Sequence, residues 1–412
     1  MADNKQNKRP NVPPLRFPEF NEPWGCYKVS DILDFYSTNS LSWEQLEFTD
    51  GELRNLHYGM IHVGLPTLLN LKESKLPTIK EGNEPKSYTL CINGDVAFAD
   101  ASEDTNDVAK AIELVETDGQ KVVFGLHTIH GRDNKGLTED GFKGYLFSSK
   151  VFHDQIRRIA QGTKVFSISN KNFSECFVGI PSKAEQTKIA RLLSLLDKRI
   201  AVQSKLIQQL ESLIKGITLQ ASKSSDCESV LLSEILTERN EANTELHEVY
   251  SVSVSQGVVN QVEYLGRSFA ANDISHYNVV HYGDIIYTKS PTGDFPYGIV
   301  KRSHQENPVA VSPLYGVYIP TSNDIGCFLH YYFCNAVSAK NYLHKLIQKG
   351  AKNTINLTNQ RFLENTINLP KAEKLAQVVA LLNCLSNKKQ QAENLLVLLY
   401  KQKQFFLNQM FI

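Results

Sequence analysis

Two stretches of this chain return at one long spacing, and that spacing constrains the fold more than any single residue does. Asn93-Gly94-Asp95-Val96 recurs as Tyr282-Gly283-Asp284-Ile285, and Ile180-Pro181 recurs as Leu369-Pro370, each 189 residues later. Solenoid repeats have periods of about 20–50 residues, so a period this long marks a duplicated domain. Each proline opens a leucine-seamed amphipathic stretch, and the second of these runs to Ile412. The pattern describes two copies of one module, each closed by a long helix, with two similar working ends.

The first long helix is the clearest element. Ile189, Leu192, Leu193, Leu196, Ile200, Ile207, Leu210, Ile214 and Ile217 recur at steps of three and four across 184–220, with Gln203 interrupting. They form one apolar stripe. At about 1.5 Å per residue such a helix spans roughly 50 Å, more than one globular half can cover. The second copy offers a partner stripe in Val378, Leu381, Leu382, Leu385, Ala392, Leu395, Leu396, Leu399 and Phe406. It is a poorer copy, with Ser386 in place of Asp197 and Lys389 in place of Ile200. An antiparallel pair follows if the halves are related by a pseudo-twofold axis; the alternative is that each helix packs on its own domain. From Val29 to about Ile180, ahead of the first long helix, short apolar runs such as Val96-Ala97-Phe98 and Lys121-Val122-Val123-Phe124 alternate with Gly, Asn and Asp and read as strands and turns, and 230–369 repeat the plan. Helices are expected over 147–159 and over 327–347. The class is therefore α+β: two duplicated domains separated by two long antiparallel helices. The expected segments are a flexible Pro-rich lead-in at 1–24, a first domain at 25–180, a long helix at 181–222, a second domain at 223–369 and a final helix at 370–412.

Composition is that of an ordinary globular chain, 42% apolar and 21% charged. No apolar run reaches bilayer length, and Met1–Pro10 is polar, unlike a signal peptide. The 7 cysteines are scattered without a CxxC pair, which suggests free thiols in a reducing cytoplasm. Net charge is zero but unevenly laid out: −7 over 21–180 and −3 over 221–369, against +4 over 181–220 and +4 over 370–412. Bulk charge thus gives no support for polyanion binding, and any such case rests on local patches.

Such patches precede each long helix. Residues 141–174 hold Lys143, Lys150, Arg157, Arg158, Lys164 and Lys171 against the single acid Asp154, and 325–363 hold Lys340, Lys345, Lys349, Lys352 and Arg361 with none. Within them Gly162-Thr163-Lys164 matches Gly350-Ala351-Lys352, followed by Asn353. Glycine permits close backbone approach and lysine supplies donors to phosphate; two solvated helix faces would give the same count. Donor-rich loops add His127, Thr128, His130 and Arg132 in the first half, and Lys289, Ser290 and Thr292 in the second. These side chains suit the donor and acceptor code of base edges. The HxxH spacing of His127 and His130 lacks a third ligand motif, so no metal site is expected.

The chain has no Gly-x-x-x-x-Gly-Lys-Ser/Thr loop, no glycine-rich nucleotide fingerprint and no Asn/Asp-Pro-Pro-aromatic tetrapeptide. It reads as a binder without catalytic residues or a cofactor of its own.

Taken together these features resemble the specificity subunit of type I restriction–modification systems. The carriers are Pro14-Leu15-Arg16-Phe17-Pro18-Glu19-Phe20 with Trp24, Val29-Ser30-Asp31-Ile32-Leu33, the two Gly-Asp strands, and Ile180-Pro181-Ser182-Lys183-Ala184-Glu185-Gln186-Thr187-Lys188-Ile189-Ala190 running on through Asp197 and Ile200. That last stretch is similar to the family's Pro-x-x-x-Glu-Gln-x-x-Ile-Ala motif. The resemblance implies two target-recognition domains reading the halves of a split, asymmetric site in double-stranded DNA. It also implies helices that set the spacer and bind two methyltransferase subunits, with Glu185, Gln186, Ile189 and Asp197 as partner contacts. S-adenosylmethionine, ATP and Mg would then sit on the methyltransferase and restriction subunits. The second helix departs from the motif, with Lys374-Leu375 in place of the Glu-Gln pair, and the Pro-Leu-Arg-Phe lead-in has no second copy. A clamp or adaptor that reads no sequence, and a single-chain modification enzyme, are the competing readings.

Overall fold

The computed structural model describes residues 11–349 and 355–412. The chain forms two compact units, one of residues 1–203 with 395–412 and one of 204–394. Each long helix is thus shared between units. The first runs Lys183–Ser222 and the second Ala372–Gln409.

In the first unit a five-stranded sheet has the order Asp34–Tyr36, Thr128–Arg132, Val96–Ala99, Ala111–Glu116, Leu68–Asn70. All neighbours pair antiparallel except the parallel edge strand Leu68–Asn70. A four-stranded sheet, Lys121–Phe124, Leu53–Leu56, Thr78–Ile79, Leu46–Glu47, lies beside it in the chain. Phe98, Phe147, Phe152 and Phe173 pack ring against ring in the buried core, and Ile189 and Leu193 of the long helix reach the same core. Strand Gly25–Lys28 pairs antiparallel with Phe177–Ile180, so the domain begins and ends at the foot of that helix.

The second unit repeats this plan with fewer parts. Leu236–Glu238, Gly316–Pro320, Ile285–Thr288 and Ile299–Arg302 form a four-stranded antiparallel sheet, and Cys227–Leu231 pairs with Thr366–Pro370. The repeat extends to individual hydrogen bonds. Gly94 and Gly283 both have positive φ, +89° and +93°, which Gly adopts without steric cost. The carboxylate of Asp95 accepts the Ile92 N–H, as that of Asp284 accepts the His281 N–H. Ser169 and Thr358 cap equivalent short helices, Asn170–Ser174 and Asn359–Phe362.

Within each unit the two long-helix segments run antiparallel. Leu196 and Ile200 pack with Leu399 in the first unit, where Asp197 meets Lys403 at 2.6 Å. In the second, Glu211 meets Lys389 at 3.0 Å, and Ala221 shares a core with Leu375 and Val379. Two expectations change. The stretch 327–347 is two helices, Asn323–Cys334 and Ala336–His344, because Asn335 turns its side chain to cap the N–H groups of Val337 and Ser338. Residues 11–24 are held rather than loose. Trp24 is buried against Phe411, and the Leu15 N–H donates to the Gln409 carbonyl.

Candidate nucleic-acid interface

The Gly-Asp strands carry a clamp rather than a reading edge. Asp95 is fully buried; it accepts from His130 Nε2 at 2.8 Å and from Arg132 Nε and Nη2 at 2.7 Å each. Burial alone would raise its pKa, but Arg132 and His130 hold it below the usual carboxylate range. Three expected base contacts are therefore internal. His130 is buried, Thr128 is buried with its hydroxyl donated to the Gly125 carbonyl, and Arg132 grips Asp95 while lying over the Tyr36 ring. Strand alternation explains the change: in Thr128–Arg132 the side chains of Thr128, His130 and Arg132 share a face, and that face points into the protein. Cys91 joins Asp95 and His130 within 4.8 Å, yet the carboxylate is already filled by cationic and imidazole donors, and burial pushes the Cys91 thiol well up. The hydrogen-bonded node is Asp95 with His130 and Arg132.

The second unit builds the same clamp from a different strand. Arg239, just past Leu236–Glu238, reaches Asp284 through Nε at 2.8 Å and Nη2 at 3.1 Å. The Gly-Asp repeat was visible in the sequence; the exchange of arginine between neighbouring strands was not.

Other expected residues do converge. The hairpin around Gly162 is closed by a bridge between Gln161 and Ser167, and Phe166–Ser167 pairs with Ala101–Ser102. Asp100 links this edge to His127, with Oδ1 and Nδ1 3.1 Å apart. His127 is half exposed and has φ +54°, which presents its ring outward from the loop. Gly162 has φ +142°, and a Cβ there would lie 1.9 Å from the Val165 carbonyl oxygen, so only glycine fits. Lys164 and Arg158 are exposed and form no ion pair among the described residues. An unforeseen ladder of rings completes the edge. Trp43 packs tilted against His57 with centroids 4.5 Å apart, His57 likewise against Tyr58 at 4.7 Å, and Tyr58 meets His127 edge-on at 5.2 Å. Trp43 and Tyr58 carry no spacing signal that would have revealed this. Lys171 is exposed but elsewhere, on Asn170–Ser174 against the Val29–Ile32 helix, and Lys143 is buried against Glu113 at 3.0 Å.

In the second unit Ser290 and Thr292 are exposed in the loop between Ile285–Thr288 and Ile299–Arg302, and Lys289 is half-buried, its pKa lowered by that burial. The counterpart of the Gly162 hairpin pairs Gln348–Lys349 with Ile355–Asn356. Lys349 lies in that strand; Gly350, Lys352 and Asn353 lie outside the described residues.

The expected partner contacts on the long helix are reassigned. Glu185 is buried and receives the Arg16 guanidinium through two bonds of 2.8 Å. Gln186, fully buried, accepts the Glu139 N–H and donates to the carbonyls of Leu137 and Pro181. Ile189 is core, and Asp197 bonds the Tyr145 hydroxyl at 2.9 Å as well as Lys403. These four side chains fasten the helix to its own domain. Among the residues the helices leave exposed are Leu195, Val202, Val397, Leu398 and Tyr400 in the first unit, and Leu206, Leu213 and Leu381 in the second, set among charged side chains such as Arg191 and Lys198.

Residues 118–212, spanning this helix foot and the Gly162 hairpin, match the family model described as Type I restriction modification DNA specificity domain. Among solved structures, the Type-I restriction–modification system S subunit from M. genitalium is 15% identical; 97% of this chain and 99% of that one are covered, with a TM-score of 0.58. A chain from work on complex assembly and conformational transition of the type I R-M system is 13% identical, with 93% and 96% covered and a TM-score of 0.52. No curated protein matches by sequence. The chain therefore has the fold of the M. genitalium S subunit over nearly its whole length, and the resemblance read from its motifs is met independently by the family model.

Proposed function

We propose that this chain is the DNA sequence-specificity subunit of a type I restriction–modification assembly. The observation that carries the reading is the pairing of a repeated frame with unrepeated loops. The two heads share their clamp, turn and cap hydrogen bonds, while the loops they present differ in chemistry: His127 with the Trp43–His57–Tyr58 ladder in one, Lys289-Ser290-Pro291-Thr292 in the other. One frame with two sets of loop chemistry suits a bipartite, asymmetric site in double-stranded DNA. Lys164, on the Gly162 hairpin, and Lys352, its match in the sequence repeat, serve as phosphate contacts that position each head.

The exposed apolar side chains of the long helices are the docking faces for two methyltransferase subunits, which hold S-adenosylmethionine; restriction subunits with ATP and Mg complete the assembly. This chain supplies the address and no chemistry. None of its described helices is long and apolar enough to cross a membrane, and the assembly acts on DNA in the cytoplasm.

The decisive experiment replaces residues 25–180 by the corresponding segment of a related chain and maps methylated bases across the host genome. One half of a bipartite motif changes and the other stays. A motif in which both halves or neither half changed would overturn the reading.

A further inference from the structure

Independently of the DNA reading, the second unit contains a cluster of charge and sulfur that its fold does not require. Lys301, on strand Ile299–Arg302, is buried, and among the described residues its ammonium forms no ion pair with a carboxylate. Its Nζ instead lies 3.2 Å from Cys334 Sγ. His330 precedes Cys334 by four residues on helix Asn323–Cys334, so both side chains lie on one face. The Nδ1 of His330 accepts the Arg302 N–H at 3.3 Å, which puts the ring proton on Nε2, 3.8 Å from the same sulfur. Two donors thus converge on one Sγ. A buried ammonium is tolerated only with a counter-charge, and the sulfur is the group in place to supply it. The other groups facing the cluster are cationic or neutral. Arg302 lies 3.4 Å from His304, whose ring stands edge-on to His330, and Tyr331 turns its hydroxyl to Asn383.

The remaining cysteines are placed differently. Burial pushes Cys91 well up and Cys176 to about 11, with no cation beside Cys176. Burial opposes ionisation of Cys334 as well, but His330 and Lys301 outweigh it and bring its pKa down to about 6. As a residue Cys334 is partly exposed.

We propose that Cys334 is held as a thiolate by Lys301 and His330 and is this chain's site of oxidation by hydroperoxides. Sγ attacks one peroxide oxygen; the S–O bond forms as the O–O bond breaks, and sulfur loses the two electrons that the peroxide gains. The departing hydroxide takes a proton from the Lys301 ammonium and leaves as water. A buried ion pair becomes a neutral sulfenic acid beside a neutral amine, so the site gives up both charges in one step.

The test uses the full chain. Alkylation with iodoacetamide is followed peptide by peptide from pH 5 to 9, and hydrogen peroxide followed by dimedone marks sulfenic acid. Cys334 alkylation should be half-maximal near pH 6 and should run ahead of that of exposed Cys26 and Cys384 as pH rises. Dimedone should tag Cys334 before either of them. Lys301→Met should move the Cys334 profile up by about two pH units and abolish early tagging, with Lys301→Arg retaining both. Should Lys301→Met not fold, the wild-type profile decides alone. A Cys334 profile that coincides with that of Cys26, or Cys26 tagged first, overturns the proposal.

Discussion

Removing Arg16 tests whether the Glu-Gln motif serves the chain's own fold or a partner. Glu185 is 1% exposed and Arg16 10% exposed, and their two 2.8 Å bonds form a bidentate pair. Arg16→Met leaves the Glu185 carboxylate buried without its cation, a change that costs about 3–5 kcal/mol. For a unit of roughly 200 residues, each kcal/mol shifts Tm by about 2–4 °C, so the first unit should melt about 10 °C lower. Replacing both members, Arg16→Met with Glu185→Leu, should recover most of the loss, because an apolar pair of similar volume is often as stable as the buried ion pair. The second helix already does without the pair: Lys374 stands at the Glu185 position and meets Asp226 at 3.7 Å instead. Calorimetry on the four members of this cycle gives the coupling directly. A loss below about 1 kcal/mol in Arg16→Met would refute the argument and return Glu185 to the partner-binding role.

Two further outcomes are expected. Asp95 is held below its ordinary 3.8 by Arg132 and His130 against burial, so the unfolded state takes up protons first and the clamp's stability, fully present above about pH 4, falls away as pH drops through the folded value. Asp95→Asn should be less stable at pH 7 and should lack that acid-side loss in denaturant titrations between pH 2 and 5; parallel curves would dissociate the clamp from acid stability. In an assembled complex, Lys164→Ala should weaken binding to all duplexes alike and make the log–log salt dependence shallower by about 0.9, the value for one phosphate contact. An unchanged slope would mean that the Gly162 hairpin faces something other than DNA.

The duplication, the two long helices and the strand content were legible because each rests on local chemistry. Spaced leucines make a helical stripe, and Gly-Asp makes a turn with positive φ wherever it occurs. Side-chain destinations were not legible. Thr128, His130 and Arg132 look like a donor-rich loop in one dimension, but they occupy alternate positions on a strand that pairs on both sides. Glu185 and Gln186 look like a surface motif until residues 11–24 and the 137–139 loop close over them.

The sequence by itself determined that there are two heads and two helices, since apolar periodicity and turn residues act over a few neighbours. Only the tertiary structure decided which polar groups face inward. Pairing Asp95 with Arg132, Arg16 with Glu185 and Lys301 with Cys334 depends on contacts 37, 169 and 33 residues apart in the chain. A buried charge must find its partner wherever the packed chain puts one, and no local pattern encodes that choice.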